Sequence, residues 1–182
     1  MNHYINIHIK HTRNSKLPVS LSKVYSKVHE RLADLKSTTL GISFPRYSVT
    51  LGDTIRLHGG EEELRRFKEA SPLLDEELCR ISDIKNIPAK CQYRRVSRKQ
   101  SNMSKAKLRR LQKRGTIGED KLKAYKIKML QQGLDDPYVD LISKTNKQRY
   151  RRYFKFGPLT DTATEGKFDT FGLSKKASVP WF

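Results

Sequence analysis

Between Gln92 and Arg114 the chain carries ten Lys or Arg residues and no Asp or Glu. No fold can bury such a run, because an unpaired charge taken out of water is among the largest penalties folding can incur. The stretch must therefore line a surface. Its first part, Tyr93 to Gln100, reads as an extended segment in which Arg98 and Gln100 point the same way, since strand side chains repeat every two residues. Its second part, Ser104 to Arg114, reads as a helix carrying Lys105, Lys107, Arg109, Arg110, Lys113 and Arg114 and stopped by Gly115. Charged helix faces that merely meet solvent usually mix Glu with Lys. This one does not, and nucleic acid is the partner that fits it.

The charge is unevenly spread. Residues 1–88 hold 14 Lys/Arg against 11 Asp/Glu, whereas residues 89–182 hold 24 against 8, out of a total net charge of +19. The asymmetry predicts an ordinary packed domain over 1–88 and a second domain over 89–182 that faces a polyanion, with the boundary near Asn86–Lys90 around Pro88. No apolar run approaches the roughly 20 residues that span a bilayer. No cationic, apolar and small-residue leader opens the sequence, so a cytoplasmic location is expected. Cys79 and Cys91 lack metal or disulfide spacing.

Along residues 3–10, Ile5, Ile7 and Ile9 alternate with Tyr4, Asn6 and His8, the pattern of a strand with one buried face. Residues 20–36 then place Leu21, Val24, Val28, Leu32 and Leu35 at helical spacing, after a loop closed by Pro18. A short strand broken by Gly41 and ended by Pro45, a strand over Thr54–His58, a helix over Glu61–Ala70 and a strand over Cys79–Ile84 follow. The fold class is therefore α+β: a ferredoxin-like, RRM-like first domain, then a basic second α+β domain with an Arg/Lys-rich helix. In the second half Glu119–Gln132 reads as a helix ended by Gly133. Val139–Thr145 and Lys147–Phe156 read as strands joined tightly at Asn146–Lys147. The latter interleaves cations with Tyr150, Tyr153, Phe154 and Phe156. That pattern serves base stacking with phosphate contact, and equally a sheet with one aromatic core face and one cationic solvent face.

No HExxH, Walker loop, paired metal-type carboxylate cluster or GxSxG elbow is present. An RNA-directed enzyme with this sequence is expected to work without metal or other cofactor, using the RNA's own 2′-hydroxyl as nucleophile. Such a reaction needs a titratable base and cations around the phosphate. His3, His8 and His11 lie on or after the first strand and His58 ends another. His29 differs, standing at the edge of the first helix's apolar stripe, one residue past Val28 and one turn after Tyr25.

Six landmarks then carry a resemblance: M-x-H-Y at the start, GISFP at 41–45, LGDTIRLHG at 51–59, YRRVSRKQ at 93–100, FGPL at 156–159 and FGLSKKASVPWF at 171–182. In this order they resemble the CRISPR repeat-processing endoribonucleases of the type I-F (Csy) system, from end to end. The resemblance implies binding of the CRISPR repeat hairpin, a cut at the 3′ base of its stem, a 2′,3′-cyclic phosphate and 5′-hydroxyl, and retention of the product crRNA. It implies other subunits of a type I-F crRNA-guided surveillance complex as partners. It places the catalytic His on His29, a ribose-positioning Ser on Ser143 and a nearby hydroxyl on Thr145. The base-reading Arg and Gln fall on Arg98 and Gln100, and the aromatic that stacks under the terminal base pair falls on Tyr150.

The chain departs from the family pattern at two places. A Tyr that orients the catalytic His is replaced by Phe171, which keeps the ring and loses the hydroxyl. In the basic helix Leu111 and Gly115 stand where arginines belong, which moves phosphate contacts toward Lys105, Lys107 and Lys113. Two rival expectations remain open: a catalytically weakened hairpin-binding subunit, and a general RNA-binding protein.

Overall fold

A computed structural model describes residues 1–10, 15–69, 77–100, 105–131, 136–143 and 146–182, with the backbone alone described at 105–106 and 128–131. His11, Thr145 and the expected Gly133 helix stop lie outside these residues. The fold is α+β, built on two antiparallel sheets. The first sheet holds β1 (His3–Ile9), β2 (Gly41–Ser43), β3 (Thr54–Gly59) and β4 (Cys79–Ile81) in the order β2-β3-β1-β4, and β5 (Lys85–Asn86) also pairs with β1. Helix α1 (Leu17–Asp34) follows β1, and α2 (Glu61–Glu69) follows β3. The second sheet has the order β7-β8-β6-β9, from β6 (Gln92–Lys99), β7 (Tyr138–Ile142), β8 (Arg149–Thr160) and β9 (Val179–Trp181). Helices α3 (Lys105–Lys113) and α4 (Glu119–Gln131) lie between β6 and β7 in the chain.

Alternation in β1 sends Ile5, Ile7 and Ile9 into the core, where α1 contributes Leu21, Val24, Tyr25, Val28 and Leu32. Each buried aliphatic side chain contributes about 1.5–3 kcal/mol by leaving water. Helix α1 starts three residues earlier than the apolar spacing alone predicts. Pro18, read from the sequence as the end of the loop, occupies the first turn, where its fixed φ and missing N–H cost nothing. Gly41 likewise begins β2 instead of breaking it. A Cβ there would lie 2.6 Å from Val179 Cγ1 and 2.7 Å from the Phe168 ring, so the strand admits only glycine. The strand expected over 79–84 is split, because Ser82 turns its hydroxyl to the Asn6 N–H at 2.9 Å before pairing resumes at Lys85.

In β8 the interleaved pattern resolves into two faces. Phe154 is fully buried and Phe156 packs against the core, while Arg149, Arg151 and Lys155 are exposed. The connection before it is longer than the expected tight turn. Ser143 N–H donates to the Gln148 carbonyl and Lys147, at φ 55°, donates to the Ser143 carbonyl, both at 2.9 Å, so β8 begins only at Arg149. One hydrophobic core serves both sheets. Tyr25, Phe44 and Phe154 form its aromatic centre, with Phe44 and Phe154 edge-to-face at 4.9 Å. Asp140 N–H donates to Ser22 Oγ at 3.1 Å, seating β7 against α1.

His58 is fully buried in β3, with Nε2 2.8 Å from Ser43 Oγ. Burial, followed by the Arg56 charge, pushes its pKa down to about 3. The unfolded imidazole, at about 6.5, binds a proton that the folded one refuses, so acid favours the unfolded chain. Unfolding free energy should fall as pH drops from about 6.5 toward 3, this group adding up to about 1.4 kcal/mol per pH unit. Urea unfolding of wild type and His58→Gln across that range checks it. The variant should be less stable at pH 7 yet lose stability less steeply, and equal slopes would contradict the assignment.

Candidate active site

The site is assembled around a turn at 169–173. The Asp169 carboxylate accepts from the Phe171 and Leu173 N–H groups, each at 2.9 Å, and the Asp169 carbonyl accepts from Gly172 N–H at 2.8 Å. Gly172 adopts φ 68°, a left-handed conformation that side chains resist. Its carbonyl accepts from Ile42 N–H at 2.9 Å, fastening the turn to β2. Held this way, the turn presents the Thr170 carbonyl and the Phe171 ring to α1.

His29 meets both. Its Nδ1 lies 2.8 Å from the Thr170 carbonyl, and its ring lies flat on Phe171, with centroids 3.4 Å apart and planes 9° apart. A carbonyl can only accept, so Nδ1 carries the ring proton and Nε2 keeps its lone pair. Nε2 has no hydrogen-bond partner among the described residues. Burial lowers the pKa of His29 and the Arg152 charge lowers it further, opposed by the Thr170 hydrogen bond and the Asp169 and Glu30 charges. Tyr25, one helical turn earlier, donates its hydroxyl to the Phe171 carbonyl at 3.2 Å. The ring at 171 thus orients the imidazole by stacking, with no hydroxyl of its own.

The other described histidines are engaged in the first sheet. His3 pairs with Glu61 at 3.8 Å, His8 meets Thr54 Oγ1 at 3.1 Å, and His58 is sealed in β3. Ser143 continues the inward parity of Val139 and Leu141, and its Oγ accepts from Asn146 N–H at 3.5 Å. Tyr150 lies opposite Leu141 and is half-buried, 6.0 Å from the Arg152 guanidinium carbon. No hydrogen bond joins His29 to Ser143, Arg98 or Gln100 among the described residues.

Arg98 and Gln100 are exposed at the end of β6 and do share a direction. With its amide oxygen turned inward, Gln100 accepts from both terminal nitrogens of Arg98 at 3.2 Å. In α3, Lys107, Arg109, Arg110 and Lys113 are exposed around a buried Leu108, Lys105 opens the helix, and exposed Arg114 follows its last residue. Gly115, at φ 65°, ends it as its position predicts, donating to the Gln112 carbonyl at 3.0 Å.

Four residues of the site were not singled out from sequence: Tyr25 as a hydrogen-bond donor, Arg152, Asp169 and Thr170. Only Arg152 left a signal. It shares strand parity with Tyr150, Phe154 and Phe156, and so interrupts an aromatic face with a cation. The others act through a backbone turn that leaves no periodicity.

A family model described as CRISPR-associated protein (Cas_Csy4) matches residues 4–182. The CRISPR-associated endonuclease Cas6/Csy4 of Pseudomonas aeruginosa (strain UCBPP-PA14) is 31% identical over 188 residues, covering 100% of both chains. The protein of the same name from Escherichia coli (strain UTI89 / UPEC) is 28% identical over 186 residues, again covering 100% of both. Among solved structures, CRISPR endoribonuclease Cse3 bound to a 19-nucleotide RNA is similar at a TM-score of 0.38 and 13% identity, covering 99% of this chain and 100% of that one.

An NMR titration tests the site without any substrate. His29 should titrate below 6.5, with Nδ1 as the protonated nitrogen at pH 7. Phe171→Ala uncovers one face of the imidazole and should move its midpoint back up, whereas Phe171→Tyr should leave it in place. A wild-type midpoint at or above 6.5 would contradict the burial argument.

Proposed function

Since the chain belongs to the Cas_Csy4 family of CRISPR-associated proteins, we propose that it is an endoribonuclease that binds the CRISPR repeat hairpin, cuts at the 3′ base of its stem and retains the product crRNA. The observation that carries this reading is the His29 imidazole, with Nδ1 committed to Thr170 and Nε2 left basic. Nε2 takes the proton of the ribose 2′-hydroxyl at the scissile bond. The 2′-oxygen then bonds to phosphorus, the bond from phosphorus to the 5′-oxygen breaks, and the leaving oxygen takes a proton from water. A 2′,3′-cyclic phosphate and a 5′-hydroxyl result, with no metal in the reaction. A lowered pKa keeps the base free at neutral pH.

Ser143 and Thr145 position the ribose in this reading, and Tyr150 stacks under the terminal base pair. Arg98 and Gln100 read successive base edges, Arg suiting guanine and Gln adenine. Lys105, Lys107, Arg109, Arg110, Lys113 and Arg114 bind phosphates along the stem. The strand order β2-β3-β1-β4 supports a ferredoxin-like unit over 1–88 that carries the base. Residues 89–182 form the hairpin-binding unit, and further subunits of a type I-F surveillance complex assemble on the retained crRNA.

Incubation with a hairpin repeat RNA in EDTA tests the reading. His29→Ala should slow cleavage by at least about 100-fold with hairpin affinity nearly unchanged. RNA with deoxyribose upstream of the cut should not be cleaved at all. The wild-type rate should rise with pH and level off below 6.5, because only the neutral imidazole can act. Tight binding with no cut would favour a crRNA-holding subunit instead.

A second measurement separates reading from gripping. Arg98→Ala should cost about 1–3 kcal/mol on the cognate hairpin and blur discrimination at one base pair. Lys113→Ala should weaken all stems alike and flatten the salt dependence by about one contact. Equal losses for Arg98→Ala on cognate and scrambled stems would show that it grips backbone only.

A further inference from the structure

Arg152 is 5% exposed, yet none of its nitrogens has a hydrogen-bond or ion-pair partner among the described residues. Its Nε is closed off from solvent without an acceptor. What surrounds the guanidinium is aromatic: its carbon lies 3.4 Å from the Phe171 ring centre and 6.0 Å from that of Tyr150. His29 also lies 3.4 Å from the Phe171 centre. Two groups that close to one ring cannot share a face, so His29 and Arg152 occupy opposite faces of Phe171. The carboxylate of the turn, Asp169, takes the Phe171 and Leu173 N–H groups on Oδ1 and forms no ion pair with Arg152 among the described residues. Glu30 lies beyond His29 on α1, and Tyr25 gives its hydroxyl to the Phe171 carbonyl.

A ring face recovers only part of what a guanidinium loses on leaving water. If its sole task were to support Phe171, an apolar side chain would do so without that cost. Unpartnered guanidinium donors, held across the Phe171 ring from His29, call for an anion that is absent until substrate arrives.

We infer that Arg152 is a further catalytic residue, whose guanidinium donates to a non-bridging oxygen of the scissile phosphate and offsets the negative charge that builds there as the 2′-oxygen attacks. The inference rests on the endoribonuclease reading above. Base and cation, set roughly 7 Å apart by the intervening ring, can address the two sides of one phosphodiester, the 2′-hydroxyl and the phosphate oxygens. Arg152 also discourages a second positive charge on His29 before the reaction starts, which agrees with the direction in which it moves that imidazole.

The test is single-turnover cleavage of a hairpin repeat RNA by wild type, Arg152→Met and Arg152→Lys, with affinity measured on the same hairpin carrying deoxyribose at the cut. Met keeps the stem packed on Phe171 and removes the charge, whereas Lys keeps the charge. Arg152→Met should slow cleavage by about 100-fold or more with affinity within about three-fold, and Arg152→Lys should stay within about ten-fold of wild type. Cleavage by Arg152→Met within three-fold of wild type would overturn the inference, as would equal slowing by Met and Lys. Should Arg152→Met fail to fold by circular dichroism, Arg152→Gln replaces it under the same criteria. A wild type that binds but never cuts would sink the endoribonuclease reading and this one together. A wild type that cuts no faster than Arg152→Met sinks this one alone.

Discussion

Gly172 and Ile42 approach so closely that a Cβ on the glycine would lie 2.6 Å from Ile42 Cγ1, and the rest of the molecule depends on that approach. It lets the 169–173 turn lie on β2 and hand its backbone to the sheet. Gly41, the residue before Ile42, admits Val179 and Phe168 in the same manner from the same stretch of chain. Two neighbouring positions of a three-residue strand thus hold the second sheet to the first. The aromatic centre at Tyr25, Phe44 and Phe154 then fills the seam between them.

A chain with a net charge of +19 must also decide which of its cations to bring indoors. Arg94 lies among Tyr47, Phe156 and Trp181, each ring centre 5.0–5.4 Å away, and donates to the Gly157 carbonyl at 2.6 Å. Arg56 lies between Tyr4 and Phe182 and donates to Asn6 Oδ1 and the Phe182 carbonyl, both at 2.8 Å. Both combine rings with acceptors, which is how a guanidinium is held inside without a net loss. Arg152 has the rings and, among the described residues, lacks the acceptors. The contrast separates arginines that hold the fold from one that waits for a ligand.

Much of this was legible in the sequence because it rests on periodicity. Ile5, Ile7 and Ile9 alternate and Val24, Val28 and Leu32 recur at helical spacing, so β1 and α1 follow directly. The charge run made α3 and the end of β6 recognisable as exposed. His29 stood out only as an edge position, and the motifs of the resemblance gave it a role that its spacing could not. What stayed illegible depends on contacts between distant segments. Gly41 looks like a strand breaker until Val179 and Phe168 are set against it. The Thr170 carbonyl carries no side-chain signature at all. Arg152 needed the parity of β8 to be fixed by its pairing with β7 before its inward direction could be read.

The hydrogen bonds that hold the His29 imidazole and the Phe171 turn join residues far apart in the chain: His29 to Thr170 across 141 positions, and Tyr25 to Phe171 across 146. Contacts of such long range close last, because the loop entropy they cost is offset only once nearer contacts have formed. Each sheet can gather its own strands while the imidazole still swings freely on α1. The imidazole is therefore fixed late in folding, and a chain whose two halves have not yet closed on each other carries the basic surface without the His29–Phe171 stack in place. Under the proposed function, cleavage would then report on the completeness of the fold.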